Sequence, residues 1–352
     1  MDSDVESRSC GLFREGNGAV DDPIDLLSFA PSTVRARALD DWMHRALCDS
    51  LTHVAERCAT RAPVITETLE PTVAHLHAGG RIRPEGFGTY YDMVESVSSG
   101  HLDHGSTWAR AVAAAAIPGS SGSWQVLAAG TPDCAILESA FKRRMSERER
   151  DLFGPVDEET RTNFALRLDD GLDLLARGVP EMHAEIRAII RTVILAQAPE
   201  GSDLEFDGAS HYELWGLVLL NPRFHDTRLA VAEVLAHECG HSLLFGMMGK
   251  ELLVQNPYED KFPSPLRPDP RPMDGIFHAT FVSARMAFAM ERLAASGHLT
   301  PEERSQAREA AERDRANFAS GDSVIRSDGR LTETGARIIA DARKWITASA
   351  IE

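Results

Sequence analysis

Basic residues are scarce in this chain relative to acidic ones. Lys and Arg total 37 against 54 Asp and Glu, a net charge of −17. So acidic a protein is poorly suited to nucleic-acid phosphates or an anionic membrane, and neither is expected as a partner. Long apolar runs are lacking too. The longest bland stretch, 111–117, is mostly alanine and stops at Pro118, well short of the roughly 20 residues that span a bilayer. Met1-Asp2-Ser3-Asp4-Val5-Glu6 is acidic with no apolar segment behind it. No secretory signal is read there, and the cytoplasm is the expected address. Cysteine is sparse: Cys10, Cys48, Cys58, Cys134 and Cys239 form an odd, scattered set rather than a disulfide framework. There is no G-x-S-x-G elbow and no Gly-rich phosphate loop, so serine-hydrolase chemistry and phosphate cradling have no local support.

What is present reads as a largely helical protein. From Pro31 to about Leu76 the pattern is helical: Val34, Leu39, Trp42, Met43, Leu47, Leu51 and Val54 recur at threes and fours, the spacing of one buried helix face. Residues 80–90, with Gly79-Gly80, Pro84, Gly86 and Gly88, read as loop. Helices are expected over 108–117, 134–152, 158–176 and 181–190. The texture then turns to short apolar runs at 192–196 and 214–220, with Leu204-Glu205-Phe206 alternating between them, which predicts a small sheet. Residues 249–277 lack periodicity and hold six of the 18 prolines, a loop of a length usually tied to function. Helices return from His278, Pro301 and Leu331. The expected class is mainly α with a small β-sheet (α+β): a zincin-like strand, then a catalytic helix, inside a mostly helical protein. The expected organisation is a helical, peptide-binding region over 1–200, a metal-binding core over 201–296 and C-terminal helices over 297–352 packing on that core.

The catalytic helix is marked by His237-Glu238-Cys239-Gly240-His241, an HExxH motif that Asp226 or Thr227 can cap. Four residues make roughly one turn, so both imidazoles leave one face at a separation one metal ion can bridge. Glu238 stands where it can reach a metal-bound water. Cys239 lies about 200° round from His237 and reads as a small buried residue. Gly240 permits close packing beside His241. Chance yields such a motif in roughly a few chains of this size in a hundred.

A third ligand must come from further along. An extended metzincin pattern needs His at the position of Met247, which excludes it. Glu251 and Glu259 are poorly placed, and Glu291 is far along its helix. His278, after Met273-Asp274-Gly275, is the preferred third ligand, with Asp269 and Asp274 as alternatives. His278, Phe281, Val282, Arg285 and Ala289 form one helix stripe. Arg285 therefore points toward the metal cavity as a clamp for a carboxylate, and Arg267 and Arg271 can do the same from the loop. The pairs His75/His77 and His101/His104 are weaker metal candidates.

These residues resemble a family. Trp215-Gly216 with Leu219-Leu220-Asn221-Pro222, His237-Glu238-x-x-His241-Ser242-Leu243-Leu244, the run Ser264 to Pro272 and Gly275-x-x-His278 together are similar to the HEXXH-motif peptide-modification proteins of ribosomal peptide natural-product biosynthesis. The resemblance covers about residues 204–290. It implies an iron(II)- and α-ketoglutarate-dependent hydroxylase acting on a precursor peptide, with His237, His241 and His278 as metal ligands. In that reading Arg285 and Arg271 bind the keto acid, and Arg267 and Trp215 face the substrate. Glu238 keeps a zinc metallopeptidase open as the alternative, with Glu238 as general base. A non-catalytic, metal-containing peptide-binding protein is the second alternative.

Overall fold

A computed structural model describes residues 25–117, 124–150, 153–202, 206–249 and 251–348. Leu204 and Glu205 lie outside the described residues. The chain is mainly α, 64% helical, with sheets of two to four strands, as its periodicity implied. Among the described residues no helix is long and apolar enough to cross a membrane.

The first half contains α1 (Thr33–Cys58), α2 (Pro63–His77), β1 (Arg81–Ile82), α3 (Pro84–Ser98), α4 (Leu102–Ala114), β2 (Ala116–Ile117), β3 (Gln125–Ala128), α5 (Ala135–Lys142), α6 (Glu147–Arg150), α7 (Glu158–Gly178) and α8 (Pro180–Ile189). Then come β4 (Thr192–Leu195), β5 (Gly208–Ser210), β6 (Leu217–Leu220), α9 (Arg228–Met248), β7 (Lys261–Phe262), β8 (Arg271–Pro272), α10 (Met273–Ala295), α11 (Pro301–Asp328) and α12 (Glu333–Ala348). These elements sort into two compact units whose segments interleave along the chain. The first takes Asp40–Thr162 and Ile190–Pro222. The second takes the segment ending at Leu39, Asn163–Ile189, and the chain from Arg223 onward. Residues 201–296 thus fall in both units, 201–222 in the first and the rest in the second.

The first unit is built on a four-stranded sheet of order β3-β4-β6-β5, parallel except for β5. Every residue of β4 and β6 is buried, which is why both read as unbroken apolar runs. Ile194, Leu217 and Leu219 pack with Leu137, Phe141 and Phe153. Residues 80–90 are not the expected loop. Pro84 occupies the first turn of α3, where its missing N–H costs nothing. Gly86 and Gly88 are packing glycines, since a Cβ would lie 2.5 Å from Ile82 at one and 2.7 Å from Leu214 at the other. The helix expected over 134–152 is two helices, because Ser146 starts a second. Its backbone N–H and hydroxyl both donate to Glu149, each at 2.9 Å, at the start of α6.

In the second unit α9 is capped by Thr227, whose hydroxyl accepts the Ala230 N–H at 3.1 Å. It ends at Gly249, with φ +55°. The proline-rich loop folds into a short antiparallel hairpin, pairing Lys261 with Pro272 and Phe262 with Arg271. Its second strand runs straight into α10, which therefore begins at Met273 rather than at His278.

Candidate metal centre

One helical turn brings the His237 and His241 Nε2 atoms to 3.1 Å. Two donors at 2.0–2.1 Å on one ion stand about 3.0–3.4 Å apart, so this pair has the spacing of two ligands. Gly240 lets α10 approach the motif. A Cβ there would lie 3.0 Å from Val282 Cγ1 and 3.5 Å from Arg285 Cγ. Through that close crossing His278 stacks on His241, ring centroids 5.2 Å apart and planes 18° apart. Phe245, one turn past His241, packs 5.4 Å from the His278 ring.

The nitrogens form a chain rather than a ring of ligands. His241 meets His237 through Nε2 and His278 through Nδ1, the latter at 3.0 Å. One imidazole cannot offer both nitrogens to one ion. Accordingly no group of three His, Cys, Asp or Glu side chains is disposed to hold a metal among the described residues. The tautomer of His241 that frees Nε2 for an ion carries its proton on Nδ1, and His278 Nδ1 is placed to accept it. Coordination by all three rings requires that contact to open.

The electrostatics suit neutral imidazoles, the state a metal needs. Burial holds His241 well below the usual histidine range, helped by His237, His278 and Arg267. Burial also lowers His278, against the opposing charge of Asp274. Glu238 is buried, its Oε1 3.9 Å from His237 Nε2, while the His237 side chain stays 23% exposed.

The arginines separate sharply. Arg285 does not point into a metal cavity. It is fully buried, donating to the Phe29 carbonyl at 2.8 Å and to Glu185. Its place on the His278 stripe is real, but its long stem carries the guanidinium away to the nearest buried carboxylate. Arg271 is held by Asp269 at 3.0 Å, their side chains 42% and 58% exposed. Arg267 is the loop arginine whose charge acts on His241. Trp215 belongs to the first unit, where it is buried and its indole N–H donates to Asp40 at 2.9 Å. At 3% exposure the residue offers little surface to a substrate. His75 is hydrogen-bonded to the Arg81 carbonyl at 3.0 Å, and the His101 and His104 rings lie 6.0 Å apart.

Sequence reasoning missed Glu185 and Arg35, which are fully buried with Arg285. Glu185 occupies the apolar stripe of α8 with Met182, Ile186 and Ile189. A charge on a buried stripe was the available signal. The chain matches no protein-family model and no curated protein.

Proposed function

We propose that the chain is a metal-dependent peptide-modifying enzyme, an iron(II)- and α-ketoglutarate-dependent hydroxylase of a residue in a ribosomally made precursor peptide. The observation that carries the reading is the meeting of three imidazoles, two from the HExxH helix and one from α10, at ring-nitrogen separations of 3.1 and 3.0 Å. His237, His241 and His278 would hold the ion. Iron with the keto acid as co-substrate would supply oxidising power there, the oxidation of the keto acid to succinate and carbon dioxide balancing the hydroxylation of a substrate C–H bond by dioxygen. The chain's own residues do the rest. Burial keeps His241 neutral and ready to ligate. Its Nδ1 contact with His278 would open as that third ring turns to the ion. Arg267 supplies a cation for the distal carboxylate of the keto acid.

One observation favours a second reading. Glu238 beside His237 stands where the general base of a zinc metallopeptidase stands. Anaerobically purified full-length chain, loaded with iron(II) or zinc and titrated with α-ketoglutarate, separates the two. The hydroxylase reading expects α-ketoglutarate to bind only with iron present, and succinate to form with a peptide bearing one added oxygen. Zinc retention, no keto-acid binding and peptide cleavage would replace it with the peptidase.

A further inference from the structure

Arg285 is an unusual side chain to find in the crossing of α9 and α10. Its stem lies over Gly240, with Cγ 3.5 Å from where a Cβ would stand there. Its head leaves that crossing for Glu185 on α8 and the Phe29 carbonyl. Glu185 is fully committed as well. Its Oε1 accepts from Arg285, and its Oε2 accepts from Arg35 and, at 3.0 Å, from the Ser32 backbone N–H. All three charged side chains are fully buried, and neither arginine Nε finds an acceptor. Two cations therefore lean on one carboxylate through their Nη atoms.

We propose that the Arg285–Glu185 pair is a register pin that ties α10 to α8, on which α9 also packs, and so holds His278 beside His241, which makes Arg285 and Glu185 positioning residues of the metal site. His278 and Arg285 are seven residues apart on one unbroken helix, about 10 Å along its axis. A shift of one therefore shifts the other. Apolar neighbours such as Val282 tolerate small slides. A charge-assisted hydrogen bond does not, because it weakens steeply with distance and angle and leaves a buried charge behind. Val282 and the Arg285 stem set the approach of α10 to α9 at Gly240, and the fork at the stem's end holds α10 in register with α8.

The pin serves the metal reading above, but its geometry can be measured without metal. The full chain, labelled with 15N-histidine and metal-free, gives ring-nitrogen NMR signals that report the His241–His278 contact. The informative variant replaces all three charges with apolar side chains of similar volume, Arg35→Met, Glu185→Leu and Arg285→Met, since such swaps commonly keep a protein folded. If that variant does not fold, Arg285→Lys, which keeps a cation and loses the fork, is read in its place. In the folded variant the His241 and His278 signals are expected to shift while those of exposed histidines stay put. Zinc affinity, measured by competition with a chelator, is expected to fall about 10–100-fold, and that fall is expected to vanish in a His278→Ala background. Unchanged ring signals in a folded variant overturn the pin. So does an affinity loss that persists undiminished without His278, since it would mean that the charges act on the fold at large. A parent chain that takes up no metal overturns the metal reading, and the ring signals then decide the pin alone.

Discussion

Asp314 on α11 keeps its proton well past neutrality, and replacing it tests the electrostatics of the helix that carries the motif. It is 1% exposed. Burial chiefly, and then the charge of Glu233 on α9, push its carboxyl up to about 8, with Arg313 opposing. Arg313 meanwhile pairs with Glu233 at 2.5 Å. An unfolded chain releases the same proton near 3.9. Between about pH 4 and 8 the folded state therefore binds more protons than the unfolded one, and stability drains away as pH rises through that window. At about 1.4 kcal/mol per unit, the full swing is on the order of 5 kcal/mol. Asp314→Asn removes the ionisation and keeps an N–H donor toward Glu233, so a gain of about 2–3 kcal/mol is expected at pH 8. For a unit of this size that is about 5–10 °C in Tm. Thermal melts of both proteins at intervals from pH 4 to 9 read it directly. The difference in Tm should be small at pH 4, grow to pH 8 and level off. A difference that is flat across that range, or that shrinks with pH, refutes the reasoning.

His278→Ala separates two roles in metal-content measurements: loss of a ligand should abolish occupancy at micromolar metal, whereas loss of an orienting partner of His241 should cost about 10–100-fold in affinity. Glu238→Gln should cost a hydroxylase about 10–100-fold through the geometry of the site. In a peptidase it should abolish turnover with metal still bound, because the base is gone. Arg267→Ala should raise the α-ketoglutarate requirement about 30-fold or more if the guanidinium grips the distal carboxylate. Arg271→Ala, which only frees Asp269, should change it little. Gly240→Ala should cost about 1–3 kcal/mol in denaturant unfolding, because Val282 has little room to yield.

The helix with its two histidines was legible because a short repeat on one face needs nothing beyond the local chain. The same local rules narrowed the cap to Asp226 or Thr227, and the structure selects Thr227. The fate of the arginines was not legible. Helical phase placed Arg285 on the His278 stripe correctly, but where a six-bond side chain ends depends on what waits there. What waits is Glu185, 100 residues earlier in the chain. The burial of Trp215 was not legible for the same reason, its partner Asp40 lying 175 residues away. Gly86 and Gly88 read as loop signals because the sequence shows that a side chain is missing but not that Ile82 and Leu214 fill the space. Ser146 and Glu149 were readable as a helix start, and the charged run around them concealed it.

The interleaved order of the two units has a consequence for synthesis on the ribosome. Every segment of the first unit has emerged once Pro222 clears the exit tunnel. The second has by then only its two early pieces. Glu185 and Arg35 are already made, and the carboxylate waits a hundred residues of translation for Arg285. Closure is later still, since Phe29 donates its N–H to Asp341 across 312 residues at 2.7 Å. At roughly 5–20 residues per second, the stretch from 223 onward takes on the order of ten seconds to appear. For much of that interval the histidine helix has α7 and α8 beside it but lacks α10, whose His278 and Val282 cover its motif. A premature stop between His241 and α10 would yield a polypeptide with an intact HExxH and without Arg285 to join Arg35 on Glu185.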